Sequence, residues 1–134
     1  MKMLRILILP AVALLSSVII SAVIKDTPTA YSNGSDIIVR WNTLDESGVQ
    51  RFEVHRRSGT DGPFLQIGQQ RPRGNNSAYE YVDKQVFKAA NGVYQYKIRI
   101  IDGSNPPNET DVVTVSHLSS AYKRTWGSIK AMFR

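Results

Sequence analysis

The chain has 134 residues, no cysteine and a formal net charge of +6. Its length suits one domain with its own hydrophobic core. The lack of cysteine excludes a disulfide scaffold, thiolate zinc sites and a cysteine nucleophile. Between Lys25 and His117 the basic and acidic side chains balance, so the positive excess belongs to the two ends of the sequence. We therefore expect no nucleic-acid partner for the middle of the chain.

The first 24 residues have the layout of an export signal. Lys2 and Arg5 precede an uncharged, apolar run over residues 6–24, which is close to the ~20 residues that span a bilayer. This layout is typical of a signal peptide, with a retained membrane anchor as the alternative. Residues 1–24 are therefore predicted to form an N-terminal signal helix. Either alternative places the following domain outside the cytoplasm, so the protein is expected to be secreted, periplasmic or at the cell surface.

Short strands separated by turns are predicted from residue 27 onward. Ile37, Val39 and Trp41 alternate with other residues, as in a half-buried strand that ends on a large aromatic anchor. Turn residues such as Gly62 and Pro63 separate the strand segments. The predicted strands lie near residues 30–31, 37–41, 49–57, 64–67, 78–83, 91–102 and 110–116. Their number and spacing predict an all-β fold, an antiparallel sandwich of about seven strands.

The stretch 91–102 has the strongest strand pattern in the chain. Apolar and aromatic residues occupy every second position of this stretch, and polar residues lie between them, which predicts one buried and one wet face. The predicted buried face consists of Tyr94, Tyr96, Ile98 and Ile100.

Several of these motifs resemble those of fibronectin type III domains. Ile37-x-Val39-x-Trp41 is similar to the B-strand signature of that family, and Phe52-x-Val54 resembles its C strand. Tyr81-x-Asp83 followed by Gly92-Val93-Tyr94-x-Tyr96-x-Ile98 is similar to the segment that joins strands E and F. The runs 51–58 and 61–68 resemble modules of exported proteins from Bacteroidota-type bacteria.

This resemblance implies an immunoglobulin-like, seven-stranded sandwich over residues 27–118. It implies structural roles for Trp41, Tyr94 and Tyr96. It also places Tyr94 at a tyrosine corner, where the phenol bonds to backbone upstream and pins the connection between the two sheets.

The sequence shows no arrangement typical of catalysis. His55 and His117 have no metal-ligand spacing and are interpreted as exposed strand histidines. Asp45 and Glu46 are adjacent in a loop and are interpreted as solvated charge, since paired acid–base carboxyls must flank one bond. We find no phosphate loop or nucleophile motif. We therefore predict no catalytic residue, no metal site and no cofactor, and hence a protein that is not an enzyme.

Two loops are candidate contact regions. Residues 71–76 carry Arg71 and Arg73, and this basic loop either touches an anionic glycan or a partner or is a solvated connection. Residues 103–109 contain two prolines and lie at the end where immunoglobulin-like folds present binding loops. Ordinary turn composition explains this second loop as well.

The C-terminal segment, residues 119–134, is predicted to be a short amphipathic helix. Its large apolar residues follow at steps of four, three and four, which puts them on one helical face beside a basic stripe. Such a face indicates a binding surface, so we predict an unidentified protein partner. The alternatives are docking on its own domain, an anionic membrane surface, and a sorting signal or a frayed end. The predicted partner-binding residues are Tyr122, Trp126, Ile129, Phe133, Lys123, Lys130 and Arg134.

Together these observations favour a non-enzymatic, exported binding or structural module. It is expected to mediate protein–protein interaction or assembly at the cell surface or in the periplasm. The alternatives are a glycan-binding module and a protein associated with a membrane surface through its basic C-terminal helix.

Overall fold

The structure is a computed structural model that describes residues 23–88, 91–118 and 132. This part of the chain is all-β, with one short 3₁₀ helix, as the sequence predicts. Among these residues no helix is long and apolar enough to cross a membrane. The strands are β1 (Thr29–Ser32), β2 (Ile37–Asn42), β3 (Arg51–Ser58), β4 (Leu65–Gln70), β5 (Ala78–Asp83), β6 (Asn91–Ile101), β7 (Asn108–Glu109) and β8 (Val113–Leu118), and the 3₁₀ helix is Gln85–Lys88.

The strands form two antiparallel sheets. The smaller sheet has the order β1-β2-β5. The larger sheet has the order β4-β3-β6, and both β7 and β8 pair with the far edge of β6. The expected antiparallel architecture is confirmed at this level.

Two strands differ most from their predicted bounds. The predicted strand 110–116 begins later, at Val113, and runs to Leu118 as β8, while the two-residue strand β7 precedes the predicted start. The Thr110 hydroxyl accepts a 3.0 Å hydrogen bond from the Ile98 amide, in place of a backbone carbonyl. Strand β4 extends to Gln70 rather than ending at Ile67. β4 is an edge strand and ends in polar glutamines. These residues break the alternation of apolar and polar positions that would have predicted a strand as far as Gln70.

Both sheets contribute to one hydrophobic core. Trp41 of β2 stacks on Tyr79 of β5, with ring centres 5.2 Å apart, and packs at 6.3 Å against Phe52 of β3. The two sheets therefore pack face to face, as in a β-sandwich. The core cluster contains Ile37, Val39, Trp41, Phe52, Val54, Tyr79, Val86, Tyr94, Tyr96, Ile98, Ile100 and Val115.

A buried polar cluster also joins the sheets. Asp83, on the edge strand β5, is 1% exposed. Its carboxylate accepts a 2.7 Å hydrogen bond from the Tyr96 hydroxyl and forms a 2.7 Å ion pair with Arg56. Since a buried carboxylate is stable only when it is paired, this charge fixes the position of β5 against β3 and β6.

Candidate functional site

Glu46 is the buried centre of a loop network. The side chain is 7% exposed, so the interpretation of Glu46 as solvated charge is wrong. Its carboxylate accepts hydrogen bonds from the Tyr79 hydroxyl, from Thr43 Oγ1 at 2.8 Å and from the Gly74 amide at 2.7 Å. These three donors replace the water that a surface carboxylate would have, which is why the charge can be buried.

The basic loop over residues 71–76, which we call the arginine loop, is held by this network. The Asn75 side-chain oxygen accepts a 2.7 Å hydrogen bond from the Glu46 amide. The Tyr79 hydroxyl accepts a 2.8 Å bond from the Arg73 amide. Gly74 has a φ of 112°, which favours glycine and aims its amide at Glu46. The arginine loop is exposed yet fixed by its own backbone.

The titration of Glu46 and Tyr79 follows from this network. Burial of Glu46 opposes its ionisation, but the hydrogen bonds from Tyr79, Thr43 and the backbone outweigh it and hold the pKa of Glu46 below its ordinary value. Burial, together with the bond to Glu46, raises the pKa of Tyr79. At neutral pH Glu46 is therefore an ionised carboxylate, and it accepts a hydrogen bond from the neutral hydroxyl group of Tyr79.

Two adjoining clefts lie beside the arginine loop, at the open side of the sandwich between β4 and β5. One has a volume of about 280 Å³ and the other about 340 Å³, and they share Gln70 and Arg73. We call the combined depression the arginine groove. Its lining consists of Arg40, Arg51, Gln69, Gln70, Arg71, Arg73, Ala78, Tyr79 and Glu80.

The four arginines of the groove differ in their partners. Arg40 forms a 2.7 Å ion pair with Glu80, and Arg51 forms a 2.9 Å ion pair with Glu53. Within residues 23–88 and 91–118, neither Arg71 nor Arg73 forms an ion pair with a carboxylate. The Arg73 guanidinium instead lies 4.4 Å from the centre of the Tyr79 ring. The groove therefore offers two guanidinium groups to an anionic ligand.

The polar surface that begins at Arg51 extends along the outer face of the larger sheet. His55 is buried, so its interpretation as an exposed histidine is wrong. Its Nε2 atom lies 3.1 Å from a carboxylate oxygen of Glu53. On the same face, Arg57 and Lys97 both approach the Phe64 ring, at 4.6 and 4.4 Å.

His117 is also buried, against the same prediction. Its Nδ1 atom lies 2.7 Å from the Ser32 hydroxyl, which links β8 to the edge strand β1 across the sandwich. A histidine that is 1% exposed has no access to a substrate, so we interpret the pair as structural.

The other predicted residues fall into two groups. Trp41, Tyr94 and Tyr96 lie in the core. Within the described ranges the Tyr94 hydroxyl forms no hydrogen bond, while the Tyr96 hydroxyl binds Asp83. No group of three or more potential metal ligands is found in the part of the chain that the structure describes. All seven predicted partner-binding residues, Tyr122, Lys123, Trp126, Ile129, Lys130, Phe133 and Arg134, lie outside the described residues.

The fold and the groove define an all-β domain with a candidate binding site. No model of a known protein family matches the chain. An amylopullulanase from Thermoanaerobacterium thermosulfurigenes is 33% identical over 86 residues, which are 63% of this chain and 4% of that protein. A family 76 glycoside hydrolase from a bovine Bacteroides thetaiotaomicron strain has a similar fold over 71% of this chain and 20% of its own, with a TM-score of 0.51 and 16% identity. The chain thus spans a small part of each protein.

Proposed function

We propose that this protein is a non-enzymatic, exported binding module with a fibronectin type III-like fold, and that its arginine groove binds an anionic partner. The observation that carries the proposal is the fixed arginine loop. The loop is held by Glu46 and Tyr79, so the backbone that carries Arg71 and Arg73 already has a fixed conformation before a ligand binds. A preformed site loses less conformational entropy when it binds a ligand.

The strand order supports the fibronectin type III-like part of the proposal. In such a sandwich strands B and E share one sheet, and strands C and F share the other. By the sequence resemblance, β2 and β5 correspond to strands B and E, and they pair in the smaller sheet. The counterparts of C and F are β3 and β6, which pair in the larger sheet.

The comparisons support an accessory role. The similar segment is 4% of the amylopullulanase and 20% of the glycoside hydrolase chain. A segment of this size in a much larger enzyme is more simply a supporting domain than the catalytic one. The names of both proteins refer to action on carbohydrates, which makes a polysaccharide a natural ligand to test for this chain.

The test of the proposal is affinity capture with the full chain. The immobilised protein is offered exported proteins and cell-envelope polysaccharides of the source organism, and the retained material is compared with that on an Arg71→Glu/Arg73→Glu variant. We expect a ligand that the native chain retains and the variant loses. Retention that is equal on both proteins would contradict a role for the groove. Release of reducing sugar from any polysaccharide would contradict the non-enzymatic part.

A protein partner bound by the C-terminal segment is a second proposal, and it rests on the sequence alone. Tyr122, Trp126, Ile129 and Phe133 recur at helical spacing, as in helices that lay an apolar face into a groove. Deletion of residues 119–134 should abolish association with this partner and leave the thermal unfolding of the sandwich cooperative. Association that survives the deletion would contradict this proposal.

A further inference from the structure

We propose that the ligand of the arginine groove is an acidic polysaccharide, whose carboxylate groups are bound by Arg71 and Arg73. This inference rests on the proposed binding function and adds the chemical class of the ligand. It is carried by three properties of the groove: the charge of its lining, the polar side chains that make up most of that lining and the fixed backbone of the arginine loop.

The charge of the lining favours a ligand with carboxylate groups. Arg40 and Arg51 are paired with their own glutamates, whereas within the described residues neither Arg71 nor Arg73 forms an ion pair with a carboxylate. A guanidinium group presents parallel N–H donors that match the two oxygens of a carboxylate. A neutral sugar would cover these cations without supplying a counter-charge, which opposes binding.

The chemistry of the lining favours a sugar over a peptide. Apart from Ala78, the lining side chains are polar or aromatic, and Tyr79 is 3% exposed beneath Arg73. A peptide is usually anchored by an apolar or aromatic side chain between other apolar side chains, and this lining consists mainly of arginine and glutamine. The amides of Gln69 and Gln70 donate and accept hydrogen bonds, as the hydroxyl groups of a sugar require.

The same lining disfavours single-stranded nucleic acid. Proteins that bind single-stranded nucleic acid combine a basic groove with exposed aromatic rings on which the bases stack. The aromatic ring in this lining, that of Tyr79, is covered by Trp41 and Arg73. Binding of a nucleic acid would then rest on contacts to phosphate groups alone, and its affinity would fall strongly as the salt concentration rises.

The arginine loop fixes how the ligand is presented. Arg71 directly follows the last residue of β4, and Arg73 is fixed by the bond from its amide to the Tyr79 hydroxyl. The two guanidinium groups therefore project from a short, pinned segment. We expect them to act together, so that replacing both weakens binding more than replacing either one.

The experiment is calorimetric titration of the full chain at about 0.15 M salt. The probes are polygalacturonate, neutral amylopectin, poly-glutamate and duplex DNA. We expect polygalacturonate to bind, amylopectin not to bind, and poly-glutamate and DNA to bind at least about tenfold more weakly. The Arg71→Gln/Arg73→Gln variant should bind polygalacturonate about tenfold more weakly or worse, because it loses charge-assisted hydrogen bonds.

Lys25→Gln/Lys84→Gln is the matched control, since both lysines are exposed and the variant loses the same net charge. It should bind polygalacturonate within about twofold of the native chain, because the contacts, not the overall charge, set the affinity. An Arg71→Lys/Arg73→Lys variant should fall between the native chain and the glutamine variant, since lysine keeps the charge and loses the fork geometry. Circular dichroism of each variant confirms that it is folded.

The outcomes separate the two proposals. Poly-glutamate, DNA or amylopectin that binds as tightly as polygalacturonate, and depends on Arg71 and Arg73, overturns the ligand class and leaves the binding groove standing. If the Lys25→Gln/Lys84→Gln control loses as much affinity for polygalacturonate as the arginine variant does, the ligand class is overturned in favour of non-specific charge attraction. Failure to bind any probe overturns the acidic polysaccharide, and the capture experiment with Arg71→Glu/Arg73→Glu then decides the binding function separately.

Discussion

The hydroxyl of Tyr96 donates a 2.7 Å hydrogen bond to the buried carboxylate of Asp83. Tyr96 lies on the central strand of the larger sheet, and Asp83 on an edge strand of the smaller one. Arg56 completes the cluster with a 2.7 Å ion pair to the same carboxylate. Burial and the neighbouring Asp83 raise the pKa of Tyr96, so the phenol remains a donor at every physiological pH.

Tyr96→Phe should destabilise the protein by about 1.5–3 kcal/mol, the range for hydrogen bonds to charged groups. Asp83→Ala should cost more, about 3–5 kcal/mol, because it leaves Arg56 part-buried without its counter-charge. Urea unfolding measures both free energies. Tyr31→Phe is the control, since Tyr31 is exposed, and should change stability by less than about 0.5 kcal/mol. Equal effects of Tyr96→Phe and Tyr31→Phe would contradict the role of the cluster.

Gly68→Ala should destabilise the pairing of β4 with the sandwich. A Cβ atom at Gly68 would overlap the ring of Tyr81, whose hydroxyl donates a 2.7 Å hydrogen bond to the Ile67 carbonyl. The ring must move and lose this bond, at a cost of about 1–3 kcal/mol. Thermal unfolding measures the loss. The double variant Gly68→Ala/Tyr81→Ala removes the overlap, so the two substitutions should be clearly non-additive; additive effects would exclude this contact as the cause.

Glu46→Gln should loosen the arginine loop. The new amide group would face donors from Tyr79 and Gly74, which the carboxylate now accepts. Amide hydrogen exchange should become at least about tenfold faster at Gly74 and leave β3 and β6 unchanged. Asp61→Asn, which changes an exposed loop carboxylate in the same way, is the matched control. Unchanged exchange at Gly74 in Glu46→Gln would show that another contact holds the loop.

Stability should fall in acid because of Glu46, Glu53 and Glu109. Burial opposes the ionisation of Glu46 and Glu53, but their hydrogen bonds prevail and lower the pKa of each. For Glu109 the bond from Lys97 is the main cause of its lowered pKa. Groups with a lower pKa in the folded state stabilise it above their unfolded pKa, and this contribution is lost as pH falls through the folded pKa.

We therefore expect the melting temperature to decrease as pH falls below about 4.5, the ordinary range of glutamate. Calorimetry between about pH 7 and pH 3 measures this change. Glu53→Gln should make the decrease shallower, since one of the contributing carboxyl groups is absent. A melting temperature that stays constant down to pH 3 would contradict the assigned pKa directions.

Tyr94→Phe tests the fibronectin type III-like proposal. If the Tyr94 hydroxyl bonds to backbone in the connection between β5 and β6, its removal should cost about 1 kcal/mol or more. Urea unfolding, beside the Tyr96→Phe variant, measures the cost. No loss of stability would argue against a tyrosine corner.

The alternating segments were predictable because local pattern and burial agree there. Ile37, Val39 and Trp41 point into the core, as their spacing predicts. Glu46 was not predictable, because two of its partners, Gly74 and Tyr79, lie about 30 residues further along the chain. Its loop composition gives no sign of burial.

The arginine groove was predictable only in part. Arg71 and Arg73 are separated in sequence only by Pro72 and form a visible basic loop. Arg40 and Arg51 come from strands in different sheets, and only the packing of the sheets brings them to the same depression. The burial of His55 beside Glu53 likewise follows from tertiary packing, which no spacing rule indicates.

The segment that enters the sandwich is fastened next to the arginine loop. The Leu44 amide donates a 2.8 Å bond to the Val23 carbonyl, and Ile24 forms a bridge with Thr43. Thr43 in turn bonds Glu46. Val23 and Ile24 also pack against the core. The entering segment therefore joins the core to the hydrogen bonds of Thr43 and Glu46, so a substitution that loosens Ile24 would disturb the arginine loop as well as the core.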